Sequence, residues 1–129
     1  NNHGFLDDAS NAKYAGVYVD IAKRRNPENF PSFFVGDMNA GPSTEEGSVY
    51  KTFISYWKDS YSSVDASKRT GCTGTYNGFS YSSGKSRIDY VFFRGINVTA
   101  ESYCCSNKLY SGLYASDHFP VWADFNITF

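Results

Sequence analysis

Three short stretches carry the side chains that could do chemistry. Gly36-Asp37-Met38-Asn39-Ala40 places a carboxylate and an amide two residues apart, able to face one side, just after a glycine that lets the chain turn sharply. Arg87-Ile88-Asp89-Tyr90-Val91-Phe92 sets Asp89 in an otherwise apolar run, where an unpaired carboxylate would be costly. Asp89 therefore needs a partner, and a histidine on a neighbouring strand end would serve. Ser116-Asp117-His118-Phe119-Pro120 offers an acid and an imidazole immediately before a β-patterned segment, where a loop exposes them and a strand holds them rigid. Carboxylate, amide and imidazole are groups that orient water, move protons and stabilise charge. Each stretch also has a plainer reading. Asp37 and Asn39 fit an Asx turn after a strand, and an Asp-His dipeptide is common.

The elements that must position these groups can be read from periodicity. Between Asn11 and Arg25, Tyr14, Val17, Tyr18, Ile21 and Ala22 fall at helical spacing, which predicts an amphipathic helix buried along that stripe. Ser10 or Asn11 can cap it, Lys23, Arg24 and Arg25 suit its negative end, and Pro27 stops it. Ser32-Phe33-Phe34-Val35 reads as a buried strand delivering Asp37 and Asn39 at its carboxyl end. Ser43-Thr44-Glu45-Glu46 has the form of a capping box and predicts a second helix over about 44–57. The Ser-, Gly- and Tyr-rich span 61–85 reads as loop with one short strand near Thr75–Phe79. Ile88–Phe93 and Val98–Cys104 are β-rich runs joined by Arg94-Gly95-Ile96-Asn97, the length of a hairpin connection. A terminal strand alternates Phe119, Val121, Ala123 and Phe125 with Pro120, Trp122, Asp124 and Asn126. Mixed strands and helices point to an α/β or α+β fold.

Composition sets the outer bounds. At 129 residues the chain is one domain or a piece of one, and 11 Phe, 11 Tyr and 2 Trp are enough to build a packed core. With 12 Lys and Arg against 13 Asp and Glu the net charge is −1, so neither a polybasic arm nor an acidic tail is present. No window has the unbroken apolar length of a membrane span. Cys72, Cys104 and Cys105 fit neither a zinc spacing nor a CxxC motif, and on a strand Cys104 and Cys105 point to opposite faces, so Cys72 could pair with at most one of them. The sequons at Asn97 and Asn126 point toward secretion, but two are about what chance supplies.

Taken in order, GDMNA, RIDYVF and SDHFPV resemble the carboxyl-terminal half of the endonuclease/exonuclease/phosphatase superfamily, the deoxyribonuclease-I-like fold. Gly74-Thr75-Tyr76-Asn77-Gly78-Phe79 is similar to the Thr-x-x-Gly-Phe stretch that often precedes RIDY in its members. The resemblance runs from His3 to Phe125 and implies part of a four-layer αββα sandwich, with residues 1–129 as the carboxyl-terminal portion of a single domain. It also implies a metal-dependent phosphoesterase, hydrolysing a phosphodiester or phosphomonoester by in-line water attack. Asp37 matches the aspartate that orients and deprotonates the water, and Asn39 the amide that positions water or phosphate. His118 matches the imidazole on the scissile phosphate, Asp89 the carboxylate that holds its ring, and Asp117 an acid beside Mg²⁺ or Mn²⁺. His3, with Asp7 or Asp8, resembles an Asn-Thr-His-Leu-Asp strand end, although Gly4, Phe5 and Leu6 intervene where one residue is expected.

Several readings stay open at this level. His3 can also be read as a surface residue near a terminus, and Arg87 either anchors its strand or reaches phosphate. Tyr76, Phe79 and Tyr81 either stack on a base, sugar or lipid headgroup, or cover the core. DNA, RNA, an inositol phosphate, a phospholipid headgroup and a small phosphodiester all fit as substrate. The family's principal metal-binding glutamate comes from the amino-terminal half, and Glu28, Glu45, Glu46 and Glu101 lie outside its context. The chain alone is therefore expected to be a poor catalyst that needs an amino-terminal half or a complementary chain. A noncatalytic binding or structural module keeping the same fold is the competing expectation.

Overall fold

The computed structural model describes residues 7–80 and 86–129. Helix α1 (Asp8–Arg25) leads into β1 (Ser32–Asp37), α2 (Val49–Ile54), β2 (Lys58–Asp59), α3 (Ser60–Ser63), a 3₁₀ turn and β3 (Arg69–Gly71), followed by β4 (Asp89–Arg94), β5 (Val98–Cys105) and β6 (Val121–Ile127). One sheet has the order β1-β4-β2, the other β3-β5-β6. The fold is mixed α/β with two sheets, as expected.

Strand β4 is central because its alternate residues feed two cores. Tyr90 and Phe92 point toward α1 and α2, where they join Ala15, Val19, Tyr50, Phe53 and Trp57. Phe93 points the other way into the space between the sheets, with Val98, Tyr103, Cys105 and Phe119. Three layers result: helices, sheet, sheet. Aromatic contacts tie them together, including Phe34 stacked on Trp57 at 5.1 Å and Phe33 edge-on to Phe125 at 4.9 Å between the sheets. Such pairs contribute about 0.5–1.5 kcal/mol each beyond simple burial.

Five expectations are corrected. The first concerns α1: its buried line is Asn11, Ala15 and Val19, while Tyr14, Val17, Tyr18 and Ile21 are exposed by 37–49%. The small residues let the helix approach α2 closely, and the larger side chains lie half-exposed, Tyr18 with its ring 5.2 Å from that of Phe34. Helix α2 begins at Val49, not near 44, because Gly47 sits at φ 79° and interrupts any helix started earlier. Ser48 is its true N-cap, accepting the Lys51 N–H at 3.2 Å, and Ser43 accepts the Glu45 N–H in a local turn instead. Residues 94–97 are not a hairpin: β4 is flanked on both sides by β1 and β2, so it has no edge left for β5. The chain crosses to the other sheet at Gly95 (φ 147°), where a Cβ would lie 2.7 Å from Val98 Cγ2 and 3.0 Å from Pro31 Cα. Near Thr75–Phe79 there is a single bridge, Tyr76 to His118, rather than a strand, because Gly78 and Phe79 both adopt φ 58°. The span from 61, expected as loop, also holds most of α3, the 3₁₀ turn and β3. All three cysteines are free thiols, with Cys105 buried.

Candidate active site

The β1–β4 register sets the site. Antiparallel pairing places Asp37, the last residue of β1, directly opposite Asp89, the first of β4. Two carboxylates facing each other across a ladder repel unless a cation or proton lies between them. His118, just ahead of β6 in the other sheet, supplies it. Its Nδ1 lies 2.8 Å from Asp89 Oδ2, and its Nε2 lies 3.9 Å from Asp37 Oδ2. A carboxylate only accepts, so the Nδ1 proton is on the ring and donates to Asp89. Burial of the ring opposes its charging, but the hydrogen bond to Asp89 and the charges of Asp89, Asp37 and Asp117 outweigh it, and the pKa stands above the ordinary 6.5.

The surrounding loops fix this geometry. Gly36 takes φ 142°, a conformation favouring glycine, and Met38 N–H continues the ladder to Ile88 O at 2.8 Å. Asp37 Oδ1 accepts the Asn39 N–H at 2.7 Å. The Asx turn and the site are therefore the same structure, with Asp37 Oδ2 left toward His118. The hydroxyl of buried Tyr90 lies 2.8 Å from Ala40 O and 2.9 Å from Arg87 O, tying the two loops together. On the His118 side, Asp117 O accepts the N–H groups of Asn77 (2.8 Å) and Gly78 (3.0 Å), and Asn77 Nδ2 donates to Ser116 O at 3.1 Å. The Tyr76 ring meets His118 edge-on at 5.1 Å.

Ligand atoms of Asp37, Asp89 and His118 all lie within 4.8 Å of one another, a grouping able to hold a metal ion. Two carboxylates and an imidazole already engaged at Nδ1 form a donor set dominated by hard oxygens, which fits Mg²⁺ or Mn²⁺ better than a thiophilic ion. Asp117 stands beside this trio rather than in it: it adds charge at His118, while its Oδ1 is approached by Ser116 Oγ at 3.4 Å. Asn39 is exposed on the Asp37 side.

Arg87 lies elsewhere. Its guanidinium is 2.8 Å from Asp59 Oδ2, 6% exposed, and covered by the rings of Tyr61 (4.5 Å) and Tyr90 (4.6 Å). So enclosed, Arg87 fits the strand anchor better than the phosphate contact of its two readings. His3 and Tyr81 lie outside the described residues. Asp7 ends no strand: it is the N-cap of α1, its carboxylate taken by Ser10 N–H at 2.9 Å and Ser10 Oγ at 3.1 Å. Residues that sequence reasoning did not single out also face the site. A cavity of about 490 Å³ next to His118 is lined by Lys108, Tyr110, Tyr114 and Ser116. A second of about 450 Å³ runs between the sheets from Asp89 past Val35 to Trp122. Neither had a sequence signal, since both arise where distant loops meet.

The comparisons with known proteins bear on the family and the fold. A model of the endonuclease/exonuclease/phosphatase family matches residues 1–118. Among solved structures, a functionally unknown protein of Enterococcus faecalis V583 superposes with TM-score 0.79 at 21% identity, covering 95% of this chain and 46% of its own. A mannosyl-6-phosphatase of Bacteroides thetaiotaomicron gives TM-score 0.71 at 26% identity over 91% of this chain and 46% of its own. A further family protein from that bacterium gives 0.72 at 28% identity, over 89% and 44%. The chain thus spans less than half the length of these structures. A search of curated protein sequences returns no match. Matched by the family model over nearly its full length, and folded like solved members, the chain belongs to the endonuclease/exonuclease/phosphatase family.

Proposed function

We propose that the chain is the carboxyl-terminal portion of a metal-dependent phosphoesterase that hydrolyses a phosphodiester or phosphomonoester by in-line attack of water. The observation that carries this reading is the convergence of Asp37, Asp89 and His118, from one end of both sheets, within 4.8 Å. Asp37 Oδ2, free of the Asn39 bond, takes a proton from the attacking water, while Asn39 orients that water or a phosphate oxygen. His118, its Nδ1–H held by Asp89, presents its Nε2–H to a nonbridging oxygen and stabilises the charge that builds there. Asp117, at the edge of the Asp37–Asp89–His118 group, would help to hold Mg²⁺ or Mn²⁺, an ion that would neutralise phosphate charge and ease departure of the leaving oxygen. His3, by the resemblance, would act on the leaving-group or phosphate side. The likeness to a mannosyl-6-phosphatase favours a sugar phosphate among the candidate substrates. The net charge of −1 gives nucleic acid no comparable support.

The apolar side chains left exposed on the edge strand β1, Phe33 (44%) and Val35 (63%), support the proposal that an amino-terminal half packs beside β1. No helix of the described residues is long and apolar enough to cross a membrane. Phosphate release from a sugar 6-phosphate and from a generic phosphodiester, measured on the full natural chain with Mg²⁺ and with EDTA, tests the reading. Turnover should vanish with EDTA and fall steeply in Asp37→Ala and His118→Ala. Equal, metal-independent rates in every sample would sink it, and absence of turnover in a well-folded full chain would favour the noncatalytic module.

A further inference from the structure

One buried residue holds both halves of the Asp89–His118 pair. Thr75 is fully buried. Its Oγ1 accepts the N–H of Ile88 at 3.0 Å and of Asp89 at 3.1 Å, where the chain enters β4. Its carbonyl accepts the Phe119 N–H at 2.6 Å, one residue past His118, and its own N–H donates to Ser86 O at 2.8 Å. A hydroxyl oxygen has two lone pairs, so it can satisfy two N–H groups at once, which no apolar side chain of the same shape can do. Without it, two N–H groups at the entrance of β4 lose their acceptor, and the backbone carrying Asp89 is free to shift away from the ring that its carboxylate holds.

We propose that Thr75 is a positioning residue: it sets the distance between Asp89 and His118 by gripping the backbone beside each. This rests on the phosphoesterase reading for its kinetic consequence only, since the geometry it controls can be observed without turnover. Misplacement of a reacting group by about 1 Å can cost about 100-fold in rate. In the full natural chain, Thr75→Val keeps the shape and removes the acceptor, while Thr75→Ser keeps the acceptor. Two readouts follow: the low-field proton resonance of the His118 Nδ1–H bonded to Asp89, and the kinetics with Mg²⁺. Thr75→Val should fold, lose or displace that resonance, and lose about 10- to 100-fold in kcat with KM unchanged. Thr75→Ser should keep both near the original. A folded Thr75→Val with unchanged resonance and kcat overturns the proposal, as does a folded Thr75→Ser that loses them. Should Thr75→Val not fold, Thr75→Ala takes its place, and failure of both to fold overturns the proposal in favour of a purely structural hydroxyl. A resonance that responds as expected in a chain with no turnover upholds the positioning and removes the phosphoesterase reading instead.

Discussion

Arg87 and Asp89 stand two residues apart on one run, and each makes a charged pair at 2.8 Å, yet the two pairs have opposite characters. Arg87 and Asp59 are 6% and 1% exposed, enclosed by Tyr50, Tyr61 and Tyr90, and Asp59 also accepts from Tyr50 Oη and from the Tyr61 N–H. His118 and Asp89 are 23% and 14% exposed at the mouth of two cavities, and a third group, Asp37, stands 3.9 Å from the free ring nitrogen. Separation alone does not distinguish an anchor from a site. What distinguishes them is whether a valence remains open toward solvent. Asp59 has spent its lone pairs inward, whereas His118 Nε2 and Asp37 Oδ2 still face a gap where an oxygen could sit.

Breaking the anchor should have the largest effect. Arg87→Met strands Asp59 as a buried charge, and loss of one partner of such a pair costs about 3–5 kcal/mol. Urea denaturation would read it, and adding Asp59→Leu should recover part of the loss. A cost below about 1 kcal/mol, the range of an exposed pair, would erase the contrast drawn here. On the other side, His118→Ala and Asp37→Ala should lower kcat by about 10²- to 10⁴-fold, with urea midpoints close to the parent. A strongly destabilised His118→Ala would mean that the site is an anchor as well.

Smaller effects concern pH. Because the folded pKa of His118 lies above its ordinary 6.5, protonation stabilises the fold. That contribution is complete below pH 6.5 and is lost as the pH rises through the raised value. Melting temperatures followed across that window in EDTA should show the loss, and Asp89→Asn, which removes the main cause of the upward shift, should flatten it. Asp117→Asn should flatten it least, since Asp117 is the weakest of the three carboxylate influences on the ring. An equal effect of the two variants would place Asp117 as close to the ring as Asp89.

Much of this was legible in the sequence where the determinants are local. An isolated carboxylate in an apolar run demanded a partner, and a histidine at a strand entrance offered one; the structure sets them 2.8 Å apart. Alternation along β6 gave its two faces, with Val121, Ala123, Phe125 and Ile127 half-buried and Trp122, Asp124 and Asn126 exposed. The misreadings have non-local causes. Periodicity located the apolar stripe of α1, but what a stripe packs on depends on chain that need not be adjacent. The connection at 94–97 has hairpin length, but whether it pairs depends on β1, more than fifty residues away along the chain, having taken the edge first. Arg87 reads as anchor or ligand in the sequence because Asp59, its partner at 2.8 Å, lies 28 residues away along the chain. Thr75 was visible only as the first residue of the Thr-x-x-Gly-Phe stretch; what sets it apart is an acceptor geometry toward Ile88 and Asp89 that no motif specifies.

The crossing at Gly95 carries a kinetic consequence. With β4 in one sheet and β5 in the other, joined by four residues, neither sheet can settle without dragging the other into place, and unfolding should be a single cooperative event. Nearly all the strand pairings also join distant parts of the polypeptide, the arrangement that slows folding by raising contact order. Asp37 meets His118 only once these closures are complete, so the mouth they form should be among the last features to appear during refolding.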